Sequence, residues 1–300
     1  MHTALTELSD SVAAIVEAVS ASTVLIAARP RFASTGVVWA PGIVVTADHT
    51  IQSEEIGVRL PDGREAQATV AGRDRATDIA VLRVESDLAP PRLGDSNALK
   101  AGQLAIAAGR SEQGVTAAMG IVSTAGGAWR TWRGGLIDRF VRLDVALYPS
   151  SSGAAVAGAD GAVSGIATSG LSRTSSILIP RTTVDLVVEE LLRRGRISRG
   201  YLGVGLQPVP IPEHLKNKLA LSQDGGVIVL TIEPGGPADE AGLTIGDVLL
   251  ELKGQPVADT DDMQSALSKA PVGAEVEVRV LRGGESKQVT LKVGEKPRKE

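Results

Sequence analysis

Leu143-Asp144-Val145-Ala146-Leu147-Tyr148-Pro149-Ser150-Ser151-Ser152-Gly153-Ala154-Ala155-Val156 is the stretch whose reading decides the fold. An apolar run ends at Pro149, three serines and Gly153 follow, and Val156 resumes an apolar strand. Small residues and glycine at such a corner permit a tight backbone turn. A tight turn can push one hydroxyl outward and gather backbone N–H groups beside it, which is what an acyl-transfer nucleophile requires. The same residues also describe an ordinary serine-rich surface turn. What the rest of the chain places beside them decides between the two.

Outward from this corner the chain reads as short strands. Its 34 glycines imply many turns, and aromatics at 2% leave the core to Val, Ile, Leu and Ala. Towards the N-terminus, strands are expected at 23–28, 35–46 (turning at Pro41-Gly42), 56–60 and 65–70 (about Asp62-Gly63) and 78–84. A second set is expected at 104–108, 116–122, 140–147, 163–168 and 177–179. The count suggests two small antiparallel barrels or sandwiches, about 23–97 and 98–180. Apolar spacing predicts helices over 8–19 and 183–194, the second with acids early, Arg193-Arg194 late and a glycine stop. Residues 195–200 read as a linker. Beyond them a smaller α+β unit is expected over 201–295, with strands at 226–232, 248–252, 275–281 and 286–293 and helices near 213–220, 238–241 and 261–269. The charged tail from 295 to 300 reads as frayed.

Net charge is −4, from 31 basic and 35 acidic residues with no long basic run, so nucleic-acid binding has no electrostatic support. There are no cysteines, which excludes a disulfide scaffold, a cysteine nucleophile and thiolate metal sites. No metal site or cofactor is implied. No stretch approaches a membrane-spanning run. The first twenty residues carry Glu7, Asp10 and Glu17 without a basic start, so as written the chain has no export signal and reads as cytoplasmic unless a leader has been removed.

Histidine is informative because it is rare. His2 stands at the terminus, and His214 lies in a polar helix start. His49 alone follows an apolar strand directly, in Val44-Val45-Thr46-Ala47-Asp48-His49. Asp78 opens the apolar strand Ile79-Ala80-Val81-Leu82, where a carboxylate must find partners or cost several kcal/mol. An imidazole N–H is a suitable partner. A carboxylate that orients a histidine, which in turn deprotonates a serine, is the logic of the hydrolytic triad. The order His49, Asp78, Ser152 is the one found in two-barrel serine proteases.

With these residues in place, the chain resembles the HtrA (Deg) family of serine proteases over nearly its whole length. Thr46-Ala47-Asp48-His49 is similar to that family's histidine motif, and Gly72-Arg73-Asp74-Arg75-Ala76-Thr77-Asp78-Ile79-Ala80-Val81-Leu82 to its aspartate motif. Leu93-Gly94-Asp95-Ser96, Gly120-Ile121-Val122-Ser123 and Asp144 also match. Each fragment is weak alone; their shared order and spacing are specific. The resemblance implies a mainly β protein of two six-stranded-type antiparallel β-barrels (trypsin-like) over 1–194, followed by an α+β PDZ domain.

The serine loop departs from the family. Where the family has Pro-Gly-Asn-Ser-Gly-Gly, this chain has Pro149-Ser150-Ser151-Ser152-Gly153-Ala154. The resemblance places the nucleophile at Ser152 and the oxyanion hole at the backbone N–H groups of Ser150 and Ser152. Glycine allows backbone angles that cost a Cβ-bearing residue energy, so Ser150 is expected to weaken the hole. Losing one such donor costs roughly 10²–10³ in turnover. By resemblance Ala146 and Leu147 line the specificity pocket, which lacks an acid and so should take a small or medium aliphatic side chain. The polar loop 170–176 is a candidate regulatory loop.

In the second unit Arg199-Gly200-Tyr201-Leu202-Gly203-Val204 resembles a PDZ carboxylate-binding loop, with the amides of Leu202, Gly203 and Val204 as donors. Glu233-Pro234-Gly235-Gly236-Pro237-Ala238 and Ala241-Gly242-Leu243-Thr244-Ile245-Gly246-Asp247 also resemble the PDZ core. Met263 and Leu267, at helical spacing, either border its side-chain pocket or only pack the core. No internal repeat appears, so one such module is expected. The expected function is an ATP-independent serine endopeptidase for unfolded or damaged proteins, binding unfolded polypeptides and peptide C-termini. The alternative is a catalytically impaired scaffold or chaperone with a collapsed serine loop. The resemblance also implies a homotrimer assembled through the N-terminal segment, and the cell envelope as the compartment.

Overall fold

The computed structural model describes residues 3–295. His2 and the expected frayed tail beyond 295 lie outside the described residues. The chain divides between Ile197 and Ser198 into two compact units.

The first unit opens with helix α1 (Ala4–Ser20), which begins earlier than its apolar spacing predicts because the Thr3 hydroxyl caps the Thr6 amide at 3.3 Å. Six strands follow: β1 (Thr23–Ala27), β2 (Ser34–Ala40), β3 (Ile43–Ala47), β4 (Ile56–Arg59), β5 (Glu65–Asp74) and β6 (Ile79–Val84). They close into an antiparallel barrel in the order β1-β2-β3-β6-β5-β4. Its interior is filled by Val24, Ile26, Val38, Val44, Ile56 and Leu82. Gly36 stands where a Cβ would lie 2.5 Å from Val44 Cγ1 and 2.6 Å from Ile26 Cδ1, so the packed interior requires glycine there.

The next strands are β7 (Leu104–Ser111), β8 (Gly114–Ala125), the short hairpin β9 (Trp129–Arg130) and β10 (Leu136–Ile137), then β11 (Val141–Asp144), β12 (Ala155–Ala157), β13 (Val163–Thr168) and β14 (Ser176–Pro180). All but the hairpin close into a second six-stranded barrel, β11-β14-β13-β12-β7-β8. β11 ends at Asp144, short of the strand expected to 147, because Val145–Tyr148 leaves the sheet to approach the serine turn.

Between the barrels lies one apolar cluster. Val37, Val45, Ile79 and Val81 of the first barrel meet Ala155, Ile166 and Ile179 of the second. Helix α2 (Arg181–Arg194) lays Val184, Val187, Val188 and Leu191 against the same cluster. Gly195 ends α2 at φ 70°, its N–H donating to Leu191 O at 2.8 Å. Short aliphatic side chains serve here because strands of two facing barrels approach closely. Of the few aromatics, Trp39 is buried in this cluster and its Nε1 donates to Asp185 at 2.7 Å, while Trp129 and Phe140 pack against the cluster and meet edge-to-face at 5.3 Å.

In the second unit β15 (Gly200–Tyr201) pairs with β22 (Gly294–Glu295). The main sheet runs β16 (Val204–Pro210), β17 (Gly225–Ile232), β18 (Val248–Leu252), β20 (Glu275–Arg282) and β21 (Glu285–Lys292), with β19 (Gln255–Pro256) paired on β18. Helices α3 (Glu213–Leu219), α4 (Pro237–Glu240) and α5 (Thr260–Ser268) complete it. Leu202, Val227, Leu249, Met263, Val278 and Leu291 belong to its own core. Among the described residues no helix is long and apolar enough to cross a membrane.

Candidate active site

His49 leaves β3 in a single 3-10 turn, Asp48–Thr50. Asp48 is buried there, and Arg73 of β5 answers it with Nε to Oδ1 at 2.5 Å. The same guanidinium donates to the carbonyls of Asp48 (3.0 Å) and Ile51 (2.9 Å), so one side chain ties both ends of the His49 turn.

Asp78 is 1% exposed. It is one of three non-glycine residues with positive φ among the described residues, at 59°. Aspartate tolerates this region better than most residues, yet the conformation still costs about 1–2 kcal/mol. The surroundings hold it in place. Asp74 caps the preceding loop through Ala76 N (3.2 Å) and Thr77 Oγ1 (2.6 Å). Thr131 Oγ1 donates to Ala76 O at 2.6 Å, and Asp48 N donates to Asp78 O at 3.1 Å.

The structure brings His49 and Asp78 together. Nδ1 of His49 lies 2.9 Å from Oδ2 and 3.1 Å from Oδ1, and the His49 amide donates to Oδ1 at 2.9 Å. Thr168, the last residue of β13, donates its hydroxyl to Asp78 Oδ2. Gly170 N donates in turn to Thr168 Oγ1 at 2.9 Å. The carboxylate thus has backbone, imidazole and hydroxyl partners, which makes a buried charge tolerable. A neutral imidazole that gives its Nδ1 proton to this carboxylate presents Nε2 as an acceptor.

Ser152 is 2% exposed and follows a 3-10 turn over Pro149–Ser151. Gly153, at φ 89°, lets the chain pass so close to β2 that a Cβ would lie 2.1 Å from Thr35 O. Thr35 N donates to Ser152 O at 3.2 Å, and Thr35 Oγ1 donates to Ser150 O at 2.9 Å. The hydroxyl of Ser152 is 3.1 Å from that of Ser169, and no hydrogen bond joins it to His49 among the described residues.

The 3-10 turn decides how the serine loop is oriented. Ser151 N donates to Tyr148 O at 2.8 Å. Carbonyls in such a turn point forward along it and amides point back. The Pro149 carbonyl, rather than the Ser150 N–H, is therefore on the side of the Ser152 amide. Arg29 Nη2 donates to that carbonyl at 2.9 Å while also holding Phe32 O and Ala33 O. Burial lowers the Arg29 pKa. Of the expected pocket residues, Ala146 is exposed and Leu147 is half-buried against the second barrel's core.

In the second unit Leu202 is buried, and Val204 and Leu267 are partly buried against the core that contains Met263. The Tyr201 hydroxyl donates to Glu233, and this bond, aided by burial, raises the phenol pKa.

Thr168 and Ser169 are the site residues that the sequence reading missed, while Arg73 and Gly170 stood in its aspartate motif and candidate regulatory loop without the contacts found here. Thr168 and Ser169 are separated from their partners by 90 and 17 positions, and hydroxyl residues at strand ends carry no signal of their own.

Residues 34–166 match the family model of the trypsin-like peptidase domain, and residues 200–293 that of the PDZ domain. A probable periplasmic serine endoprotease DegP-like from Halomonas elongata is 35% identical over 279 residues, covering 90% of this chain and 57% of that relative. Its counterpart in Rickettsia conorii is 31% identical over 262 residues, covering 84% and 51%. The chain thus spans little more than half the length of these curated relatives. Among solved structures, the HtrA-type protease AlgW with decapeptide superposes with a TM-score of 0.78 at 27% identity, covering 96% of this chain and 99% of that one. The serine endoprotease from Yersinia pestis gives 0.78 at 26% identity, covering 95% and 98%.

Proposed function

This chain belongs to the HtrA family of trypsin-like serine proteases bearing a PDZ domain, and from that premise we propose that it is a serine endopeptidase acting on unfolded or damaged polypeptides. Ser152 Oγ attacks the scissile carbonyl. His49 Nε2 takes its proton and later delivers it to the leaving amine, and Asp78 holds the imidazole in the required tautomer and stabilises it when protonated. The amides of Ser150 and Ser152 receive the oxyanion. The observation that carries this reading is the buried Asp78 carboxylate, fully partnered and paired with His49 Nδ1, at the barrel ends that also present Ser152. A peptide-binding scaffold has no use for a carboxylate held at positive φ against a histidine.

The arrangement described above is a resting one. Two movements ready it: Ser152 Oγ leaves Ser169 for His49 Nε2, and the Pro149–Ser150 peptide turns its N–H towards the oxyanion. The second unit binds polypeptide C-termini through the Leu202, Gly203 and Val204 amides, with Met263 and Leu267 beside the terminal side chain. The curated relatives' description as periplasmic supports the cell envelope as the place of work. Assembly as a homotrimer is part of the same proposal.

The test is labelling by a fluorophosphonate probe of the full chain and of its Ser152→Ala variant. The wild type is expected to label at Ser152 and to cleave a denatured protein substrate without ATP. A wild type that neither labels nor cleaves in the presence of denatured substrate, or equal labelling of both, refutes the enzyme reading.

A further inference from the structure

Strand β16 is the outer edge of the second unit's sheet. It pairs with β17 along its length, and among the described residues no strand pairs with its other edge. Two of its seven residues are prolines, Pro208 and Pro210. In a strand, backbone groups of successive residues face opposite edges. Two hydrogen bonds fix the phase. Ile211 N donates to Asp224 O at 2.9 Å, and Gly203 O accepts from Glu233 N at 2.8 Å, so residues 203 and 211 both face β17. The register shift between Gly205 and Leu206 places the extra residue, Leu230, on β17, so the alternation along β16 is unbroken. Val204, Leu206, Pro208 and Pro210 therefore face the open edge. Proline is tolerated there because the ladder with β17 needs no N–H from it.

We propose that Pro208 cuts the docking edge short, so that the second unit reads the carboxylate and the last three or four residues of a polypeptide and draws no further main-chain donor from β16. This rests on reading that unit as a module for peptide C-termini. A strand added antiparallel to β16 meets one edge-facing residue for every two of its own. With the carboxylate at the Leu202, Gly203 and Val204 amides, Leu206 serves the third residue from the end. The next donor would come from position 208, which has no N–H. The side chains that select the ligand's end are apolar: Val204, Leu206 and Leu267 half-exposed beside the buried Met263. Proline on the open edge also deters pairing between copies of the chain.

The experiment uses the full chain carrying Ser152→Ala. A library of random decapeptides with free carboxyl ends is panned, and the tightest binder is trimmed from its N-terminus to eight, six, four and three residues. Calorimetric Kd values are expected to agree within about threefold from ten residues to four. Pro208→Val, which restores an N–H, is expected to tighten the six- to ten-residue peptides about fivefold, the worth of one net hydrogen bond, and to leave the tripeptide unchanged. A wild-type gain of tenfold or more between four and ten residues overturns the proposal alone. So does a Pro208→Val chain whose length dependence matches the wild type. Equal binding of the amidated decapeptide, or no peptide binding at all, overturns the module reading and this proposal with it.

Discussion

A Cβ added at Gly170 would lie 2.5 Å from both Asp78 Oδ2 and His49 Nδ1. Gly170→Ala should therefore push the pair apart while leaving the barrels folded. A misplacement of about 1 Å costs on the order of 100-fold in turnover; kcat is expected to fall by about that factor with unchanged circular dichroism, and near-wild-type kcat would show that the pair does not govern the rate. Ser150 is the complementary case. Turning the Pro149–Ser150 peptide moves a Cβ-bearing residue out of a comfortable 3-10 conformation. If the turned form lies at positive φ, glycine removes about 1–2 kcal/mol of that cost. Ser150→Gly should raise kcat about tenfold with little change in KM, measured on a fluorogenic peptide. A fall in kcat would mean that the hole is already formed with serine. His49 and Asp78 stand out in the sequence because one follows and the other opens an apolar run, whereas Ser152 was chosen among three serines by the family resemblance. Gly170 and Thr168 do not stand out, because their importance arises only where β13 ends beside the Asp78 loop.

At the scale of elements, two buried acids tie loops to strands. Asp48 binds Arg73 of β5 beneath the His49 turn. In the second unit Asp247, whose side chain is fully buried, accepts from Nε and Nη2 of Arg282 of β20 and from the Thr244 amide and hydroxyl. Burial raises the Asp247 pKa, but the Arg282 and Thr244 hydrogen bonds outweigh it and hold the carboxyl below its usual value. A carboxyl depressed in the folded state adds stability that is present above its unfolded pKa, about 3.9. That stability is lost as pH falls through the lower folded value. Arg282→Ala leaves a buried carboxylate with its cation removed, and about 3–5 kcal/mol should be lost at pH 7. Urea unfolding from pH 7 to pH 3 should show the gap between variant and wild type narrowing as pH falls. A gap that is constant with pH would mean the pair contributes through packing alone. Arg282 and Asp247 stand 35 positions apart, and nothing in either's neighbourhood announces the other.

On the scale of the whole molecule, the chain has two compact units with separate apolar cores. The second core is closed by its own sheet and by α5, whose N-terminus is capped by Asp259 on the Asp262 amide at 2.8 Å. Residues 198–295 expressed alone should therefore fold, with one cooperative thermal transition and dispersed amide resonances. A molten fragment would show that the core depends on the first unit. The few aromatics follow from the same architecture. The two barrels and α2 pack mainly on short branched side chains, with alanines of β7 and β12 among them.

Strand periodicity, turn residues and polar groups set against apolar runs, all readable within about ten positions, are enough for the mainly β class and for singling out His49 and Asp78; the trypsin-like barrels, the choice of Ser152 and the PDZ motifs came from the family resemblance. Tertiary structure alone decided the rest. It set Thr168 on Asp78 and Ser169 on Ser152, aimed the Pro149 carbonyl towards the Ser152 side under Arg29, and turned Pro208 to the open edge of its sheet. Each of these depends on the direction of a peptide group or on two strand ends meeting in space, and side-chain type and spacing leave both undetermined.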